Sequence, residues 1–184
     1  MHSAVRERRF WEQRVPNGAA FNVKEPDAIL DAMRQGKHIC VLDVSWDQMG
    51  HAIDPAYQSL VEAASRWAER CDTASIVSMA LDQGYRCIIT SDHGQLVSQG
   101  IGTPPVGECA IERSRRCLIF QHKATRDHFS SFGDAAFQPI TLPNGRHLLL
   151  ARYGESFDAA GAMAVSHGGA SIEELIVPIA EVTA

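Results

Sequence analysis

The chain has 184 residues, 45% hydrophobic and 21% charged, a balance that suits one folded, water-soluble domain and excludes disordered or collagen-like classes. Its formal net charge of −5 gives no global field for nucleic acid, and no stretch approaches the roughly 20 apolar residues of a membrane span. The arginines Arg6, Arg8, Arg9 and Arg14 have no apolar run behind them, so a secretory signal is not supported and a cytoplasmic address is expected.

Residues 1–37 read as a lead-in with no chemistry of its own, extended or partly helical around Pro16, Asn17 and Gly18. Within it Asp27 is expected to cap a short helix over 28–34 that closes at Gly36. Residues 38–184 read as a single α/β domain. "HICVLDV" (38–44) and "RCIIT" (86–90) are β-branched apolar runs with the pattern of buried strands. Between them Tyr57, Leu60, Val61, Ala64, Trp67, Ala68 and Cys71, then Ala74, Val77 and Leu81, recur at helical spacing. Strand, long helix or helix pair, strand is a crossover unit, and therefore predicts that the two strands are parallel.

Beyond Gly94 the chain is loop-rich as far as Gly107. "CLIFQ" (117–121) then gives a third strand, and "ITLPNGRHLLLAR" a hairpin around Pro143, Asn144 and Gly145. "AMAVSHGG" (162–169), a capping-box pattern "SIEE" (171–174) and "LIVPIAEV" (175–182) complete the chain, the last as an edge strand because it carries Pro178. The five cysteines, Cys40, Cys71, Cys87, Cys109 and Cys117, form no C-x-x-C pair and are odd in number, which argues against a disulfide framework and a thiolate zinc site.

Three short loops each follow an apolar strand: "SWDQMGH" after 38–44, "SDHG" after 86–90 and "SHGG" after 162–165. In open parallel sheets ligands bind beyond the carboxyl ends of the strands, so these loops are expected to converge. Taken singly, each has a plain structural explanation, as a turn or a helix start. Together Asp47, His51, Asp92, His93 and His167 offer two carboxylates and three imidazoles, a donor set that suits zinc or manganese. Two such ions about 3.5–4 Å apart would clamp the attacking and leaving oxygens of a phosphoryl group. Gly50, Gly94, Gly168 and Gly169 would let a metal or phosphate approach the backbone. Arg115 and Arg116, in the basic run "RSRR" (113–116), are candidate phosphate contacts. The remaining histidines, His2, His38, His122, His128 and His147, have no acidic or histidine neighbour at ligand spacing and read as structural or solvated.

"LDVSWDQMGHAID", "IITSDHGQL" and "SHGGASIEELIVPIAEV" resemble the PglZ domain, a branch of the alkaline phosphatase superfamily found in bacterial phage-defence (BREX) operons and in some response regulators. The resemblance runs from about residue 38 to 182. It implies a mostly parallel sheet flanked by helices. It also implies a metal-dependent phosphomonoesterase or phosphodiesterase whose phosphoester substrate would be a nucleotide, an oligonucleotide or a related compound. One zinc would be bound by Asp47, His51 and His167, and a second by Asp92 and His93. The superfamily also uses an earlier strand ending in an aspartate, and a Thr or Ser nucleophile after it. Residues 1–37 contain no threonine and no strand-then-Asp pattern, so the front of the site is expected to be missing. The chain would then be a fragment, be completed by another chain, or not catalyse. An alternative register takes Asp43 as the early aspartate and Ser45 as the nucleophile, although the two stand close together for that arrangement. The competing expectation is a non-catalytic interaction or scaffold module of a defence complex. Under either expectation the exposed sheet edge predicts a protein partner or a homodimer.

Overall fold

A computed structural model describes residues 4–50, 52, 53, 55, 59–137, 142 and 145–184. The chain divides into two compact units, 1–49 with 61–90 and 179–184, and 50–60 with 91–178. Among the described residues no helix is long and apolar enough to cross a membrane.

The first unit opens with helix α1 (Ala4–Arg14), strand β1 (Gly18–Asn22), helix α2 (Pro26–Arg34) and strand β2 (His38–Leu42). β1 and β2 are parallel, from Gly18 opposite His38 to Asn22 opposite Leu42, so the crossover unit is β1–α2–β2. This corrects the reading of residues 1–37 as a lead-in, since they supply a strand and the crossover helix. That strand is followed by Val23, Lys24 and Glu25, not by an aspartate. α2 starts at Pro26, whose fixed φ suits the first helical position, with Asp27 inside the first turn rather than capping it. Ile29, Ala32 and Met33 form its buried face at i, i+3, i+4 spacing.

Helices α3 (Ser45–Gly50), α4 (Leu60–Ala68) and α5 (Thr73–Asp82) follow, so the long helical stretch is a pair. Strand β3 is Cys87–Ile89. It pairs antiparallel with the closing strand β10 (Ala180–Val182), Ile89 opposite Ala180 and Cys87 opposite Val182. The unit's core is Val23, Ile29, Met33, Ile76 and Ala80, with Phe21, Ile39, Val41, Met79, Tyr85 and Cys87 packed against it.

In the second unit β4 (Leu96–Gly100) pairs antiparallel with β9 (Met163–Ser166) and parallel with the short β8 (Glu155–Ser156). β5 (Ala110–Arg113), β6 (Cys117–Phe120) and β7 (His147–Leu150) form an antiparallel meander with a bulge between Ala110 and Glu112. Helix α6 (Lys123–His128) follows β6, and a short helix α7 (Ile172–Leu175) follows β9. The core here is Val106, Ala110, Leu118, Phe120, Phe129, Leu149, Ala151 and Phe157. β7 covers the segment expected as the second arm of a hairpin, and its partner is β6. Residues 138–141, 143 and 144, which include most of the expected first arm and turn, lie outside the described residues.

The expectation of a mostly parallel sheet is therefore corrected. The described sheets have two or three strands each: β1–β2 is parallel, β8–β4–β9 is mixed with its parallel pair at β4–β8, and the other two are antiparallel. β2 and β3, predicted to be parallel neighbours, take β1 and β10 as their partners.

Candidate metal centre

Ser91–Gly94 forms a tight loop in which the Ser91 hydroxyl donates to the carbonyl of His93 at 2.5 Å. The His93 Nδ1 lies 3.0 Å from the carbonyl of Gly94. A carbonyl only accepts, so Nδ1 is the donor, the orientation that metal-ligating histidines adopt when a backbone carbonyl holds the other ring nitrogen. Asp92 Oδ1 is 3.7 Å from that Nε2, and Asp92 is largely exposed.

β9 delivers His167 to the same place. The His93 and His167 rings stack with centroids 4.0 Å apart and 13° between planes. The resemblance assigned these two imidazoles to different metal positions, whereas the fold puts them face to face.

The glycines flanking both loops are required by packing. A Cβ on Gly94 would lie 1.9 Å from the carbonyl oxygen of Glu173, and its own N–H donates to the Glu174 carbonyl at 2.9 Å. A Cβ on Gly169 would meet Glu174 Oε2 at 2.5 Å and Arg116 Nη2 at 2.7 Å. Close approach of protein to protein, rather than of metal or phosphate to backbone, explains why no larger residue fits there.

Arg116 and Glu174 are the buried charges behind these loops, 1% and 2% exposed. Arg116 donates from Nε to Glu174 Oε1 (3.1 Å) and from Nη2 to Oε2 (3.0 Å), a bidentate pair, and from Nη1 to the carbonyls of Arg152 and Glu155. Glu174 also accepts the N–H of Gly169 (2.7 Å) and of Ser171 (3.2 Å), the latter as half of the capping box that starts α7. Burial alone would raise the Glu174 carboxyl, but the bonds from Arg116, Gly169 and Ser171 outweigh it and hold it below its ordinary range. The Arg116 guanidinium is thus committed to Glu174 and the main chain, not to a phosphate. Arg115 is half exposed, donates to the Val165 carbonyl at 3.2 Å and faces Asp158 at 3.6 Å.

In the first unit Asp47 lies in the first turn of α3 and is half-buried. The segment expected as a strand-end loop is that short helix, and His51 beyond it lies outside the described residues. Ser45 donates to Asp43 Oδ1 from its N–H (2.9 Å) and its hydroxyl (2.5 Å) and accepts from Trp67 Nε1 at 2.8 Å. Thr73, at the start of α5, donates to Asp43 Oδ2 at 2.8 Å. Burial would raise Asp43, but these bonds and the charge of Lys24 hold it below the ordinary carboxylate value. The Ser45 hydroxyl therefore joins β2 to α3 and α4. The Asp43–Thr73 contact spans 30 residues, and spacing alone gave no sign of it.

The family model of the BREX system PglZ alkaline phosphatase-like domain matches residues 3–182. The chain belongs to this family. The match takes in residues 3–37, so β1 and α2 are part of the PglZ domain and not an appendage. No curated protein matches the chain. Alkaline phosphatase-like domains usually use metal ions, and in this PglZ domain the paired imidazoles, one of them oriented through its Nδ1, are a donor set that fits one.

Proposed function

We propose that this PglZ domain is a metal-dependent phosphoric-ester hydrolase acting in bacterial phage defence, on a nucleotide, an oligonucleotide or a related phosphoester. The observation that carries the reading is the stacked pair His93 and His167, with the His93 Nδ1 turned to the Gly94 carbonyl. His93 and His167 would be metal ligands, with Asp92, which the family motifs group with His93 on one ion, and Asp47 and His51, which they group with His167 on another, as the further ligands. When bound, zinc or manganese supplies Lewis-acid stabilisation of the charge on a phosphoryl group. The protein's own part is to orient the His93 imidazole, to hold the loops by backbone packing at Gly94, and to keep the buried Arg116–Glu174 pair behind them. Of the two candidate phosphate contacts, Arg115, half exposed beside Asp158, is the one whose guanidinium is not buried.

The test is metal content by mass spectrometry of the purified chain after incubation with zinc or manganese, with hydrolysis of bis-p-nitrophenyl phosphate measured beside it. The wild type is expected to retain metal, and His167→Ala and Asp92→Ala to lose it. Equal metal content and equal hydrolysis in all three proteins would reject the reading.

A second reading, a docking module of a defence complex, is favoured by one observation. Ile172, Leu175 and Ile176 on and after α7 are exposed at 75%, 58% and 71%, an apolar surface of the sort that partners cover. On that reading Ile176→Glu abolishes phage resistance in a host carrying the whole defence system while Asp92→Ala leaves it intact. The hydrolase reading expects Asp92→Ala to abolish it.

A further inference from the structure

We propose that Glu174 is the positioning residue for both histidine loops, presenting His93 and His167 to a metal ion as one preset pair. The inference rests on these two histidines being ligands.

Its basis is that one residue holds the main chain beside each ligand. The Glu174 carboxylate accepts the N–H of Gly169, two residues after His167, at 2.7 Å. Its backbone carbonyl accepts the N–H of Gly94, the residue after His93, at 2.9 Å. Gly94 is also the residue whose carbonyl orients His93 Nδ1, so a displacement at Glu174 reaches the ring through a single residue. The side chain cannot swing away, because Arg116 grips both carboxylate oxygens and is itself held on the carbonyls of Arg152 and Glu155. Four N–H groups converge on two carboxylate oxygens, which fills the acceptor capacity of the group. A capping box alone would need only the Ser171 contact. The additional grip on Gly169 and the backbone bond to Gly94 have no part in starting a four-residue helix, and both act on the loops that carry the imidazoles. Outer-shell groups of this kind set the orientation of metal ligands, and their loss typically costs about 10- to 100-fold in metal affinity.

The experiment compares the full chain with Glu174→Gln, Glu174→Asp and a core control, Leu149→Ala, which cuts a fully buried side chain elsewhere in the same unit. Two quantities are read: the ring resonances of His93 and His167 in metal-free protein carrying carbon-13 histidine, and zinc affinity by competition with a chromophoric chelator. In the wild type the stacked rings shift each other's signals. Glu174→Gln is expected to move the signals of both histidines and to weaken zinc binding at least tenfold. Glu174→Asp keeps the charge against Arg116 but shortens the reach to Gly169, so it remains folded if the glutamine variant does not, and is expected to move chiefly the His167 signals. Leu149→Ala lowers the melting temperature and moves neither. Variants at Glu174 that melt earlier but keep wild-type ring signals and zinc affinity would overturn the proposal. If the wild type takes up no zinc while its ring signals still respond to Glu174, the positioning role stands and the metal reading falls.

Discussion

A glutamate and an arginine removed from water together cost several kcal/mol each in desolvation, which their mutual hydrogen bonds must offset. At Arg116 and Glu174 the offset is a bidentate pair plus main-chain partners on both sides. Breaking it from one side leaves an unpaired buried charge, so Glu174→Gln should destabilise the protein by about 3–5 kcal/mol in urea unfolding. The pH dependence has a definite sign. The folded carboxyl lies below its ordinary value of 4.5, so its contribution is complete above that pH and is lost as pH falls from there through the folded value. Unfolding free energy measured across that acid range should fall less steeply with pH in Glu174→Gln than in the wild type; identical slopes would show that the pair is not the source. Cysteine reactivity offers a second check at this scale. Burial, aided by the charge of Glu112, pushes the Cys117 thiol up to about 12, whereas Cys109 is exposed. Iodoacetamide at pH 8 followed by peptide mass spectrometry should label Cys109 and spare Cys117 in the folded protein.

At the scale of elements, the inward face of β4 shows what hydrophobic patterning can miss. Leu96, Ser98 and Gly100 point into the core, and only the first is a large apolar residue, so "LVSQG" reads as loop. What makes it a strand is pairing: Ser98 Oγ meets Ser166 Oγ at 2.7 Å across the β4–β9 ladder, both side chains fully buried. β1 escaped notice for a related reason, since "GAAFN" has no β-branched residue and begins at a glycine that looks like a turn. The strands rich in Ile, Val and Leu, β2, β3 and β6, were legible, but their partners were not, because register and neighbour depend on contacts distant in sequence. The serine pair predicts a coupling. Ser98→Ala should cost about 1–3 kcal/mol by taking the partner from the buried Ser166 hydroxyl, and Ser166→Ala less, because Ser98 Oγ keeps the Ala164 carbonyl at 3.4 Å. The double variant should cost less than their sum by 0.5 kcal/mol or more, roughly the threshold for contacting residues. Strict additivity in urea unfolding would mean that the two hydroxyls do not bond.

For the whole molecule, the question is how a metal would be felt by a chain whose ligand types stand far apart in sequence. The meeting of His93 with His167 was legible because both stand in short strand-end motifs, Asp-His-Gly and His-Gly-Gly. Arg116 was not, because nothing in "RSRR" tells which arginine turns inward, and Glu174 was legible only as a helix cap. The loops that bear His93 and His167 lie 74 residues apart and are joined through Gly94, Gly169 and Glu174. An ion bound by both histidines closes that long loop from outside and stabilises the folded chain by mass action. At a free zinc concentration one hundred times the dissociation constant the gain is about 2.7 kcal/mol. For a chain of this length that raises the melting temperature by roughly 5–11 °C. The rise should disappear in His167→Ala and be reversed by a chelator. Amide exchange should slow on zinc addition first around residues 91–95 and 166–175, where the loops are held only by short contacts, and little in the core of Leu118, Phe120 and Leu149. An equal rise in His167→Ala would place the bound zinc elsewhere on the chain.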